Sequence, residues 1–178
     1  MQNQKQIKIV VLGGESTGKS TLSSQLASHY KTLWVPEYAR MYLEHLGRSY
    51  KESDLLTIAK GQLELEDDLA IKATNILICD TDLHVLKVWS EYAYQRCDPF
   101  ILQKIEQRKY DLYILTAPDF PWQPDPLREH PEIELRNYFF QLYCGLIAAK
   151  SIPYIIVRGN EKERLKQAID FIENQFVL

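Results

Sequence analysis

The segment Gly13-Gly14-Glu15-Ser16-Thr17-Gly18-Lys19-Ser20 is a complete GxxxxGK[ST] phosphate-binding loop. It constrains the fold more than any other part of the chain. The loop follows the apolar run Ile7, Ile9, Val10, Val11, Leu12 and opens into the helix-like stretch Thr21 to Tyr30. Such a loop works only in that setting: a strand delivers it, and the next helix presents its N-terminus to phosphate oxygens. Gly13 and Gly18 permit backbone conformations that a Cβ would forbid, so successive N–H groups converge on an anion. Lys19 brings a mobile positive charge to the β- and γ-phosphates, and the Ser20 hydroxyl can ligate Mg²⁺. Glu15, Ser16, Thr17 and Thr21 complete the loop and the first helical turn, and belong to the same expected nucleotide site.

Bulk properties bound the rest. A chain of 178 residues, 46% hydrophobic, builds one core, and no linker or repeat divides it, so a single domain over 1–178 is expected. The net charge of −3 lacks the cationic face that nucleic-acid binding requires. The polar N-terminus carries no signal sequence, and apolar runs stop at strand length, so no membrane partner is expected. Cys79, Cys97 and Cys144 are odd in number and without CxxC spacing, which argues for a reducing cytoplasm. His29, His45, His84 and His130 show no metal-ligand spacing.

Short apolar runs alternate with helical ones. Strands are expected at Lys8–Leu12, Thr32–Val35, Ile76–Asp80, Leu112–Thr116 and Tyr154–Val157, several continuously apolar as in a parallel sheet covered on both faces. Helices are expected from Ser53 as N-cap through Ala70, from Asp98-Pro99 to Arg108, from Glu132 to Lys150 and from Glu161 to Phe176. The pattern predicts an α/β fold: a doubly wound, parallel, five-stranded sheet with helices on both faces, of the P-loop NTPase class. Ligands in such folds sit beyond the carboxyl ends of the strands.

The residues at those ends carry the remaining signal. Glu37 and Arg40 follow the second strand; Glu37 stands where it can accept a proton from an attacking hydroxyl, or it pairs with Arg40 across one helical turn. Asp80 ends the third strand in a Walker B position suited to Mg²⁺, with Asp82 toward the substrate side; either can instead cap the following helix. From Ala117 to Glu129 four prolines exclude regular helix, and Phe120 and Trp122 suggest an ordered lid, about 117–136, rather than a linker. Arg128 and Arg136 can reach transferring phosphates from such a lid. Tyr38, Trp89, Tyr92, Tyr94 and Trp122 can contact a planar ring, or fill the core. Arg158-Gly159-Asn160 is a turn where an adenine would lie, and Arg158 is the cofactor candidate there.

Taken together, GGESTGKS, PEYAR (Pro36–Arg40), Asp80-Thr81-Asp82 and YDLYILTAPDFPWQPDPLRE (Tyr110–Glu129) resemble the ribosylnicotinamide kinase domain of the bacterial multifunctional NAD-biosynthesis regulator family. The resemblance runs from Ile7 to the last helix. It implies transfer of the ATP γ-phosphate to the 5′-hydroxyl of nicotinamide riboside, with ATP and Mg²⁺ as cofactors. By matched motif Lys19 and Ser20 serve nucleotide and metal, Glu37 or Asp80 serve base and metal roles, and Arg128 serves the lid. Related nucleoside kinases use a glutamate after the second strand as base, which favours Glu37. The chain starts a few residues before the first strand, so a stand-alone kinase module is expected, without DNA-binding or adenylyltransferase domains. The competing class, a nucleotide switch or ATPase, lacks support: no DxxG follows the third strand and no NKxD occurs.

Overall fold

The computed structural model describes residues 6–176. Strands β1 (Ile7–Leu12), β2 (Leu33–Val35), β3 (Ile76–Asp80), β4 (Leu112–Thr116) and β5 (Tyr154–Val157) form one sheet. Every pairing is parallel, and the order is β2-β3-β1-β4-β5. Each strand lies where the apolar runs put it, to within one residue. β3 and β4 are buried along their whole length, which is why they read as unbroken apolar runs rather than alternating ones.

Seven helices wrap the described part of the sheet: α1 (Lys19–His29), α2 (Tyr38–Leu46), α3 (Glu52–Lys72), α4 (Leu83–Tyr94), α5 (Pro99–Gln107), α6 (Ile133–Ala148) and α7 (Glu161–Gln175). Strand alternation decides which helix meets which side chain. Ile9, Val11, Ile78 and Ile114 pack with Leu22 and Leu26 of α1 and with Ala168 and Ile172 of α7. Val10, Leu12, Leu77, Cys79 and Leu115 face the other way, onto Phe139, Phe140 and Tyr143 of α6. A third cluster joins Leu55 and Ile58 of α3 to Leu86 of α4 and Ile101 of α5. Each buried aliphatic side chain contributes about 1.5–3 kcal/mol, so a one-residue slip of a strand would be heavily penalised.

One cap differs from expectation. Helix α3 begins at Glu52 with Lys51 as N-cap, so Ser53 lies inside the first turn. Asp54 reaches back instead, its Oδ2 accepting the Lys51 N–H at 2.7 Å. Arg48 and Tyr42 also donate to Asp54, and the guanidinium holds its carboxyl well below the usual range. By contrast α5 starts as read, with Asp98 accepting the Phe100 N–H at 2.8 Å and proline at the first helical position.

The sheet order places β1 centrally, between β3 and β4. The connections therefore diverge at the carboxyl end of β1, a topological switch point, and residues 13–20 sit there.

Candidate active site

The loop is built by close approach. A Cβ on Gly13 would collide with the Thr116 and Thr17 hydroxyls, so only glycine fits where β1 passes β4. Thr17 Oγ1 lies 2.8 Å from Thr116 Oγ1 and donates to the Gly14 carbonyl, also at 2.8 Å. Ser16 (φ 53°) and Gly18 (φ 76°) are left-handed, which turns consecutive amides to one side of the loop. Lys19 Nζ lies across it and donates to the Gly14 carbonyl at 2.9 Å.

The loop opens into a cleft of about 590 Å³, walled by Gly13 to Thr21 together with side chains from α2, α4, α6 and the lid. Glu37 is the N-cap residue of α2 and makes no side-chain capping bond; it lines the cleft. Asp80 lies beneath the wall, 1% exposed. It is last in β3 and shares the parity of Ile76 and Ile78, which directs it to the α1 side of the sheet, toward Ser20. Burial pushes its carboxyl up to about 6, and the charge of Glu37 adds to this; Lys19 and a hydrogen bond from Ser20 oppose it.

These residues suit a magnesium ion. Asp80 Oδ1 is buried without a hydrogen-bond partner, beside a hydroxyl that can ligate. Among the described residues no group of three or more His, Cys, Asp or Glu could cage a metal. One carboxylate and one hydroxyl, with phosphates and water supplying the other positions, is the pattern Mg²⁺ accepts. Ser20 and Asp80 would hold it, and it would neutralise phosphate charge.

The lid is pinned to both sides of the cleft. Ser16 Oγ accepts the Gln123 N–H at 3.0 Å, and Glu15 accepts the Glu129 and His130 N–H groups at 3.0 and 3.1 Å. Burial raises the Glu15 carboxyl, partly offset by those two amides. Arg136, in the first turn of α6, donates to the Ser16 and Phe120 carbonyls at 3.2 and 3.0 Å. Across the cleft Arg40 pairs with Asp125 at 2.7 Å, and Tyr50 donates to Glu129 at 3.2 Å. Arg128 lines the cleft and donates to the Gln123 carbonyl at 2.5 Å.

The structure thus gathers Gly13, Glu15, Ser16, Thr17, Gly18, Lys19, Ser20, Thr21, Glu37, Arg40, Trp89 and Arg128 around one cleft. Asp80 lies beneath the wall, and Tyr38, Asp82, Tyr94, Trp122, Arg136 and Arg158 are also off its lining. Tyr38 lays its ring where a Cβ of Gly61 would stand, on α3. Asp82 is buried and caps α4, the alternative weighed for it, accepting the His84 N–H at 2.9 Å. Trp122 lies under guanidiniums, Arg136 at 5.6 Å and Arg128 at 6.0 Å from its ring. Arg158 covers the Phe140 ring, 5.8 Å away.

Two contributors escaped the sequence reading. Tyr50 packs edge-on against Trp89, their ring centroids 4.7 Å apart, and its hydroxyl accepts the Trp89 indole N–H at 2.9 Å. Nothing local marks Tyr50, because its role depends on the α2–α3 connection folding back. Arg164, 2% exposed, donates to the carbonyls of Thr17, Ala117 and Gly159 and pairs with Asp119. An arginine among apolar positions of a helix was its only signal.

Residues 8–164 match the family model described as an AAA domain. The chain belongs to this AAA domain family. It is 31% identical, over 84% of its length, to the trifunctional NAD biosynthesis/regulator protein NadR of Salmonella typhimurium, and equally identical over 86% to that of Escherichia coli. It spans 38% of the length of these curated relatives. In three dimensions it matches a NadR structure in complex with NR, with a TM-score of 0.83 and 23% identity, over 97% of this chain and 52% of that one. A deoxyadenosine kinase from M. mycoides with bound dCTP follows at 0.60 and 15%, over 94% of this chain and 100% of the other. The fold is shared with these proteins, a P-loop NTPase fold, and the expected resemblance to the NAD-biosynthesis regulator holds in both sequence and fold.

Proposed function

We propose that the chain is an ATP-dependent phosphotransferase whose acceptor is the 5′-hydroxyl of nicotinamide riboside. One observation carries this reading: Glu37 stands at the carboxyl end of β2, on the same cleft as Lys19 and Ser20, where the phosphate loop lies. A phosphate cradle alone would need no second carboxylate there. Lys19 and the loop amides orient the γ-phosphate, Ser20 and Asp80 hold Mg²⁺, and Glu37 takes the proton of the attacking hydroxyl. The lid, with Arg128 and the Arg40–Asp125 pair, excludes water from the transfer.

The acceptor is supported by the 31% identity to NadR, a protein named for NAD biosynthesis, and by the fold shared with its NR complex. Trp89, held by Tyr50, offers the cleft an aromatic face for a planar base. The three free cysteines support a reducing, cytoplasmic setting, and the pI near 5.8 a small-molecule rather than nucleic-acid partner. No helix among the described residues is long and apolar enough to cross a membrane.

A coupled ADP-release screen over nicotinamide riboside, common nucleosides and their monophosphates tests the proposal. Release should depend on an added nucleoside and be fastest with nicotinamide riboside. Release unaffected by any acceptor would mean an ATPase.

A further inference from the structure

Alternation along β3 sends Leu77 and Cys79 to the α6 side of the sheet and Ile76, Ile78 and Asp80 to the α1 side. Carried one step further, it would bring Asp82 to the α1 side as well, two like charges together. Thr81 prevents this. Its φ is 79°, in the left-handed region that a β-branched residue rarely enters, and its N–H is fixed to the Val11 carbonyl at 2.9 Å. The backbone turns there, and the Asp82 carboxylate meets Tyr113 on the α6 side. It accepts the His84 N–H at 2.9 Å, His84 Nδ1–H at 2.7 Å and the Tyr113 hydroxyl at 2.8 Å, all buried.

We propose that Asp82, held by His84 and Tyr113, is a positioning anchor that keeps Thr81 left-handed and thereby aims Asp80 at Ser20 and the cation. Capping alone does not require this arrangement. Asp98 caps α5 with a single amide bond, and its neighbours keep negative φ. At Asp82 the carboxylate is fully desolvated, receives two side-chain donors beyond the cap, and adjoins a β-branched residue in an unfavourable conformation. Buried networks of this kind hold geometry rather than add much stability. The inference rests on the reading of Asp80 as the cation carboxylate.

The test is Mn²⁺ binding to the protein–ADP complex, followed by electron paramagnetic resonance, with ADP affinity measured separately without metal. Asp82→Asn should weaken Mn²⁺ about tenfold and Tyr113→Phe about threefold, with ADP affinity unchanged. Thr81→Gly alone should stay within about twofold of wild type, since glycine holds a left-handed φ without an anchor. Combined with either anchor variant it should recover most of the loss. That recovery separates positioning from general damage, and Tyr113→Phe carries the test if Asp82→Asn does not fold. Anchor variants that bind Mn²⁺ like wild type, or losses that Thr81→Gly leaves in place, would overturn the proposal. Asp80→Asn separates the two readings: if it alone loses Mn²⁺, only the anchor fails, and if it too binds normally, both do.

Discussion

The Glu15 carboxylate accepts the backbone N–H of Glu129 at 3.0 Å, joining the phosphate loop to the lid across 114 residues of sequence. The neighbouring His130 N–H adds a second bond to the same oxygen. Lid position is therefore set by the loop that cradles phosphate. Glu15→Ala removes a charged acceptor for two amides, and a buried bond of this kind contributes about 1.5–3 kcal/mol net. Discounting for water, we expect kcat/KM to fall about 10- to 30-fold and the 121–130 segment to become sensitive to limited proteolysis. Unchanged kinetics and protection would remove the clamp.

Asp80 opposes folding. Its carboxyl is raised to about 6 from an ordinary 3.8, first by burial and then by Glu37, so the native state binds its proton more tightly than the unfolded chain does. Metal-free protein should then lose stability as pH rises from about 4 to about 6, with the full penalty present at pH 7. Asp80→Asn should stabilise the metal-free protein by about 2 kcal/mol at pH 7 while abolishing Mg²⁺-dependent transfer. Urea unfolding at pH 5 and pH 7 checks both the sign and the pH dependence. A variant less stable at pH 7 would contradict it.

The sheet was legible because β3 and β4 are buried along their whole length and so read as unbroken apolar runs. The site was legible where one residue type at one spacing does the work: Gly13 against Thr116, Lys19 and Ser20 after Gly18, Glu37 and Asp80 at strand ends. Direction was left open where it depends on a single backbone angle. Asp82 follows Asp80 by two residues and would share its face in a regular strand; the left-handed Thr81 turns it to Tyr113 instead. Tyr38 and Trp122 stayed open between two roles for another reason. Aromatic character makes a residue equally fit for a ring site or for packing, and only tertiary contacts choose.

Arg164 is the least legible of the residues that shape the site. Its guanidinium joins the Thr17 carbonyl of the phosphate loop to the Ala117 and Gly159 carbonyls, and lies 4.5 Å from the Phe120 ring centroid. Arg164→Met leaves Asp119 without its ion-pair partner and three carbonyls without their donor. Stability should drop by about 2–4 kcal/mol, and nucleotide affinity should fall more than the acceptor KM rises. Urea titration and nucleotide binding by calorimetry check it; a loss confined to the acceptor KM would contradict the placement.

Glu37 has no capping bond to give up, so its substitution reads chemistry rather than structure. Glu37→Gln should lower kcat by at least about 100-fold while changing the KM for ATP less than about threefold. An unaltered kcat would transfer the base role to another group.

The central claim is a transfer to nicotinamide riboside, so the product decides it. Wild-type protein with MgATP and nicotinamide riboside, followed by chromatography with mass detection, should yield nicotinamide mononucleotide and ADP in equal amounts, and Lys19→Ala should yield neither. ADP without the mononucleotide, or no ADP until another nucleoside is supplied, would contradict the account.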